Sequence, residues 1–385
     1  MTCHWVKIFG HSLTIVPFLY KRSSAVKSSA YRLTIAVLVG SVLALGESPA
    51  QCEDRAETEL KTGVAVGPWA ELWNQPEVVR EIRTIFDSVN PEEIRRHLFY
   101  LSKDPLPFRK LNYTRPGQTR NTLYEADDYI SGQLASWGYE VAREEVLVQA
   151  FRCDPRKPKA HQYSPPAPED PWYKAYNLYA ERKGRRSEEI ILLLAHKDSQ
   201  SWVDSPGAND NAIGTSGLLE IARVLAHYPS NRTIRFLWCN EEHTPWTSVT
   251  AARKAKERGD KIIAVFNLDG IGVKSAEDTA AGKRSNVTLF TVPEGELLAQ
   301  LVSAANERFQ IGLEQRIAKR PRPGDDDGSF VQAGYPAAVV QIGSYPYADP
   351  NYHTEEDIPE RTDVVNAAMT VQLTLAAVLT LDRLP

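Results

Sequence analysis

The chain has 385 residues, 42% of them hydrophobic, enough to bury one large α/β core or two ordinary ones. Its formal charge is -4, and the first 50 residues hold five basic side chains against one acid, which leaves 40 basic against 48 acidic residues downstream. No basic stripe with interleaved aromatics occurs, which argues against nucleic acid as a partner, and four cysteines without framework or zinc-knuckle spacing argue against a disulfide scaffold.

Basic residues up to Arg32 precede an apolar run over 33–45. Such a run suits the core of a secretory signal and falls short of the roughly 20 residues that a membrane span requires. Ser48 and Ala50 place small residues at the two positions a signal peptidase reads. Cleavage after Ala50 is therefore expected, with a secreted or periplasmic mature protein and no stable membrane association. The competing reading is an uncleaved membrane anchor. Residues 51–75 carry mixed charge without a period and read as a linker or loosely packed arm. Cys239 lies in an apolar run and is expected in the core; one disulfide among Cys52, Cys153 and Cys239 is open.

Downstream, Asn90-Pro91-Glu92-Glu93 has the capping side chain, first-position proline and early acids of a helix start. A helix is expected over 122–137, with Ala126, Ile130, Leu134 and Trp137 on one face and Gly138 as its stop. Alternation predicts a strand over 139–151. Six prolines between 154 and 171 predict a long surface loop without regular structure, which either rims a site or merely connects. Strands over 176–181 and 190–195 are expected to pair. Further strands are predicted over 233–240, 261–269, 287–292 and 337–343, with helices over 246–258, 294–309 and from 362. This alternation predicts one α/β domain over 76–385, with a central mixed, mostly parallel sheet flanked by helices on both faces.

The apolar run 190–195 ends in His196. Asp198, two residues on, shares its side of the strand and can hold one imidazole nitrogen while the other faces a metal, and Lys197 points away. Asp210 precedes a helical pattern with Leu218, Leu219, Ala222 and Leu225 on one face. Acids and histidines recur at later strand ends, as Glu241-Glu242, Asp269 and His353. Open α/β sheets build their sites in the crevice at the carboxyl ends of their strands. Carboxylates gathered there without a cation would repel and raise one another's pKa. Two histidines and three carboxylates are donors that zinc accepts, and one bridging carboxylate gives each of two ions three ligands. A fourth, uncoordinated carboxylate there suits a general base.

His196-x-Asp198, Gly207-Ala208-x-Asp210-Asn211-Ala212-x-Gly214, Glu241-Glu242, Asn267-Leu268-Asp269-Gly270-Ile271-Gly272 and His353-Thr354-x-x-Asp357 resemble the ordered motifs of a family of two-zinc exopeptidases. That family includes the bacterial leucine aminopeptidases and is related to glutamate carboxypeptidases and glutaminyl cyclases. The resemblance covers residues 90–380. It implies two Zn²⁺, one held by His196 and Asp269 and the other by Glu242 and His353, with Asp210 as the bridge. Glu241 becomes the general base and Asp198 the partner that orients His196. The implied reaction removes N-terminal residues from a peptide substrate with a water held between the zinc ions. A cis peptide after the bridging Asp is also implied.

Two departures bear on the substrate pocket. The family's glycine after the Glu pair is missing, where this chain reads His243-Thr244-Pro245-Trp246. Its Ser-Asp-His before Phe reads Asp325-Asp326-Asp327-Gly328-Ser329-Phe330, with Asp326 matching the Asp and Asp327 replacing the His. By themselves, 325–327 read as a solvated turn, and His227 and His243 as surface or helix-end histidines. Rival readings are a single-zinc glutaminyl cyclase-like acyltransferase, a carboxypeptidase or dipeptidase of the same family, and a metal-free receptor ectodomain. The intact set of five ligands argues against the cyclase and the ectodomain.

Overall fold

The structure, a computed structural model, describes residues 67–385 and, upstream, the backbone of an antiparallel hairpin of β1 (Lys7–Phe9) and β2 (Ser12–Thr14). The apolar run 33–45, the expected cleavage position and residues 51–66 of the expected linker lie outside the described residues.

The body opens with α1 (Trp69–Leu72), α2 (Pro76–Phe86), α3 (Pro91–Ser102) and α4 (Thr122–Ser136). Residues 67–75 correct the expectation of a loose arm. Trp69, Leu72 and Trp73 are buried, and the Trp73 indole donates to Thr380 Oγ1 at 3.1 Å. Two tryptophans so close together carry more apolar area than a solvated arm would expose, and it is buried here. Asn90 caps α3 by accepting the Glu92 N–H at 3.0 Å. Asn121 caps α4 in the same way through Tyr124, and Gly138, at φ 87°, follows its end.

Next come β3 (Ala142–Ala150), β4 (Arg152–Cys153), β5 (Tyr163–Ser164), β6 (Tyr173–Arg182), β7 (Arg186–His196), α5 (Ile213–Leu225), β8 (Arg232–Cys239) and β9 (His243–Thr244). The chain continues through α6 (Thr247–Arg258), β10 (Lys261–Leu268), α7 (Ala276–Ala280), β11 (Ser285–Phe290) and α8 (Pro293–Phe309). It closes with β12 (Glu314–Lys319), α9 (Asp325–Gln332), β13 (Ala338–Ile342) and α10 (Val364–Arg383). Nine strands form one mixed sheet in the order β12-β11-β13-β10-β7-β8-β6-β3-β9. The central strands β13, β10, β7 and β8 run parallel, and the antiparallel pairs lie toward the flanks.

Strand alternation divides the core between two faces. Ile191, Leu193 and Ala195 of β7 join one cluster with α3, α5, α8 and α10, whereas Leu192 and Leu194 join another with α6 and α9. Helix α10 is long and apolar enough to cross a membrane, yet most of it is buried, packed on α2, α3, α5 and α8. Cys239 is buried as expected, and neither it nor the exposed Cys153 forms a disulfide.

Strands β6 and β7 do not pair, contrary to their sequence adjacency. β8 lies between them, antiparallel to β6 and parallel to β7. The short β6–β7 connection crosses the start of β8 so closely that a Cβ at Gly184 would lie 2.3 Å from the Arg232 carbonyl. Only glycine allows that approach. Inserting β8 brings the carboxyl ends of β7, β8 and β10 side by side.

Candidate metal centre

His196 closes β7, Glu241 and Glu242 follow β8, and Asp269 follows β10. Asp210 lies in the turn Ala208–Ala212 that leads into α5, and His353 in the loop between β13 and α10. Gly207 opens that turn at φ 56°, where a Cβ would meet the Asp210 carbonyl at 2.5 Å. The Asp210–Asn211 peptide is cis, as the resemblance implied. Asp357 accepts the backbone N–H of Asn209 at 2.7 Å and of Asp210 at 3.0 Å. The loop carrying His353 thus also holds the segment carrying Asp210.

The two carboxylate oxygens of Asp210 face different imidazoles. Oδ1 lies 3.0 Å from His196 Nε2, and Oδ2 lies 3.0 Å from His353 Nε2. His196 Nε2 is also 3.6 Å from Asp269 Oδ1, and His353 Nε2 is 3.3 Å from Glu242 Oε1. Donor atoms of His196, Asp210 and Asp269 all lie within 4.8 Å of one another, and so do those of Asp210, Glu242 and His353. Each imidazole uses its other nitrogen elsewhere, His196 Nδ1 on Asp198 Oδ1 at 3.3 Å and His353 Nδ1 on the Ala160 carbonyl at 2.9 Å. Each Nε2 is thereby aimed at the shared carboxylate.

This donor set fits two divalent cations, since it is made of nitrogen and oxygen donors in two groups with one carboxylate common to both. The electrostatics agree. Against burial, which would lower it, Glu242 and Asp210 push His353 up to about 10. Carboxylates that hold a proton on a buried imidazole so strongly create the deficit of positive charge that metal ions fill.

Asp198 organises the surroundings. It is fully buried and accepts the Glu241 and Glu242 backbone N–H groups at 2.9 Å each, His243 Nδ1 at 2.8 Å and the bond with His196. Burial would raise its pKa, but the bonds to His196 and His243 hold it below the usual carboxylate range. Glu241 is treated differently. Its Oε2 is buried without a hydrogen-bond partner, and burial, with Asp326 and Asp325 adding negative charge, pushes it well above the usual range.

A model of peptidase family M28 matches residues 177–378, which contain every residue of both donor groups. The chain belongs to peptidase family M28. Among curated relatives, an aminopeptidase of Bacillus subtilis is 30% identical over 203 residues, covering 51% of this chain and 42% of that protein. A probable zinc metalloprotease of Pyrenophora tritici-repentis is 29% identical over 223 residues, 47% of this chain and 44% of that one. The matches thus span less than half the length of these relatives. Among solved structures, LapB of Legionella pneumophila superposes with a TM-score of 0.60 at 17% identity over 79% of this chain and 75% of that one. A glutaminyl cyclase of Bacteroides thetaiotaomicron gives 0.58 at 17% identity, covering 76% and 98%. At this identity the superpositions speak to the M28 fold alone.

Three parts of this M28 centre differ from their sequence reading. His243 is fully buried on Asp198, not at the surface, while His227 is exposed as expected. Residues 325–327 form the first turn of α9 instead of a solvated turn. Asp326 and Asp327 are buried, with Arg320 paired to Asp325 and Asp327 and the Cys239 thiol on Asp326 Oδ2 at 3.0 Å. One arginine and one thiol supply what water would otherwise give these acids. The proline-rich segment is not wholly irregular, since its β5 pairs antiparallel with β4 just before it, and it rims the centre. Its Ala160 carbonyl holds His353, and Tyr163 packs with Trp202 beside the same imidazole.

Sequence reasoning missed Arg109 altogether. It is fully buried, and its guanidinium donates to the carbonyls of Leu101, Lys197, Pro206 and Gly207 at 2.6–2.7 Å. That grip spans the segment from His196 to Asp210 at both ends. No local pattern marks an arginine whose partners are backbone carbonyls of distant residues.

Proposed function

We propose that this chain is an exported zinc-dependent exopeptidase that acts as an aminopeptidase. The observation that carries the reading is the Asp210 carboxylate, with one oxygen 3.0 Å from His196 Nε2 and the other 3.0 Å from His353 Nε2. His196, Asp210 and Asp269 would hold one zinc, and Asp210, Glu242 and His353 the second. Such ions lower the pKa of a water and polarise a scissile carbonyl. Glu241, half-buried and within reach of the charges of His196 and Asp269, with its buried Oε2 free of partners, takes the proton of the attacking water. It then hands that proton to the amine nitrogen as the carbon–nitrogen bond breaks. Asp198 fixes the backbone from which Glu241 and Glu242 project.

The excess of carboxylates around the centre favours a cationic group such as a peptide's free amino terminus. The name of the Bacillus subtilis relative supports the same choice. Export rests on the basic stretch, the apolar run 33–45 and Ser48/Ala50, and N-terminal sequencing of extracellular protein beginning at Gln51 would bear it out.

The test is zinc content of the purified protein together with hydrolysis of aminoacyl anilides, with Glu241→Gln alongside. About two zinc per chain and chelator-sensitive hydrolysis lost in the variant support the reading. One zinc without hydrolysis would turn it toward the cyclase chemistry. No bound metal would overturn it.

A further inference from the structure

Gln200 follows the His196-x-Asp198 motif and is fully buried. Its Nε2 lies 3.0 Å from Asp210 Oδ2, 3.2 Å from Glu242 Oε1 and 3.1 Å from the Asp210 carbonyl. The two carboxylate oxygens are the same ones that face His353 Nε2. The three acceptors also fix which end of the amide is nitrogen. With oxygen there, three acceptors would face a fourth, and the backbone carbonyl would remain unmatched whatever occupied the centre. The other end, Oε1, is buried without a partner. A buried amide that leaves its own acceptor unpaired is held in place by what its donors do.

We infer that Gln200 is a positioning residue for one of the two metal groups, and that it makes them unequal. Among its hydrogen bonds none goes to His196 or Asp269, so it acts on Asp210, Glu242 and His353 and touches the first group only through the shared Asp210. A carboxylate oxygen offers one lone pair to an N–H while the other stays available to a cation. The two amide hydrogens thus set the rotation of Asp210 and Glu242 together, and with it the direction of the lone pairs left for the ion. The sequence segment supports this placement. Ser199, the preceding residue, accepts the Arg109 N–H with its hydroxyl at 3.0 Å and donates its own N–H to the Arg109 carbonyl at 3.0 Å, which ties the backbone of Gln200 to the Arg109 clamp.

The inference rests on the two-metal reading above, and the experiment separates the two. Metal-free wild-type protein, Gln200→Met and Gln200→Leu are titrated with zinc against a competing chelator, and thermal unfolding of each is followed with and without zinc. Wild type should take up two ions. In both variants one binding step should weaken by about 10- to 100-fold, the range for losing an outer hydrogen-bond partner of a ligand, with the other step changed far less. Two unaltered steps in the variants would overturn the role of Gln200 and leave the metal reading intact. A wild type that binds no zinc would overturn the metal reading first. Equal weakening of both steps, or failure of both variants to fold, would show a structural role in place of the one inferred.

Discussion

Asp198 and Glu241 are joined across two strand ends. One oxygen of the Asp198 carboxylate accepts the Glu241 backbone N–H at 2.9 Å, and the other accepts that of Glu242 at the same distance. A single buried side chain after β7 therefore sets where both acids after β8 point. Removing its symmetry should be felt at both. Asp198→Asn turns one acceptor oxygen into an NH₂ group facing an N–H, at a cost of about 1–3 kcal/mol for the unpaired donors. The expected outcome is a lower melting temperature and about 10- to 100-fold weaker zinc binding, read by chelator competition. Unchanged zinc affinity would separate Asp198 from the metal centre.

In the proposed reading Glu241 moves a proton and holds no ion, and neither donor group includes it. Glu241→Gln should lower the hydrolytic rate by about 10²- to 10⁴-fold while zinc content stays at the wild-type level. Rate and metal content measured on one preparation decide this. Parallel loss of both would make Glu241 a ligand.

Arg109 contributes a charge whose hydrogen bonds all go to uncharged carbonyls. Arg109→Met would strand three buried acceptors and the partly buried Pro206 carbonyl, and should destabilise the fold by about 3 kcal/mol or more. Arg109→Lys restores the charge but not the planar fork, so it should recover only part of the loss in urea unfolding.

His97 gives a pH dependence with a definite sign. It is fully buried, with Nδ1 2.8 Å from the Tyr129 hydroxyl, and burial, helped by Arg96 and Arg223, lowers it to about 3. The unfolded chain takes up a proton near pH 6.5, and the folded chain resists it down to about 3. Stability from the neutral ring is complete above pH 6.5 and falls by about 1.4 kcal/mol per unit as the pH drops through that window. Urea unfolding of wild type and His97→Gln at pH 7 and 5 checks it. The wild-type stability should fall more steeply than that of the variant, and parallel slopes would refute the assignment.

The residues that gather at the centre were legible because strand ends and a helix start are local events. An apolar run ending in His196, or an Asp just before a helix, can be read from a few neighbours. His243 could not. Its surroundings in sequence are polar, and only the pairing of β9 with β3, together with Asp198, takes it out of water. Asp326 and Asp327 mislead in the same way, because three consecutive acids look solvated until Arg320 and Cys239 are brought against them.

The sequence by itself determined the α/β alternation, the strand ends that carry the chemistry and the residue types gathered there, because periodicity and motif spacing are properties of short stretches. The tertiary structure alone decided that β8 separates β6 from β7, that the proline-rich segment reaches His353 through Ala160, and that Arg109 and Gln200 stand behind the centre. Each of these is a contact between segments far apart in the chain. Burial and long-range hydrogen bonding are decided only when the whole sheet closes, so no local pattern encodes them.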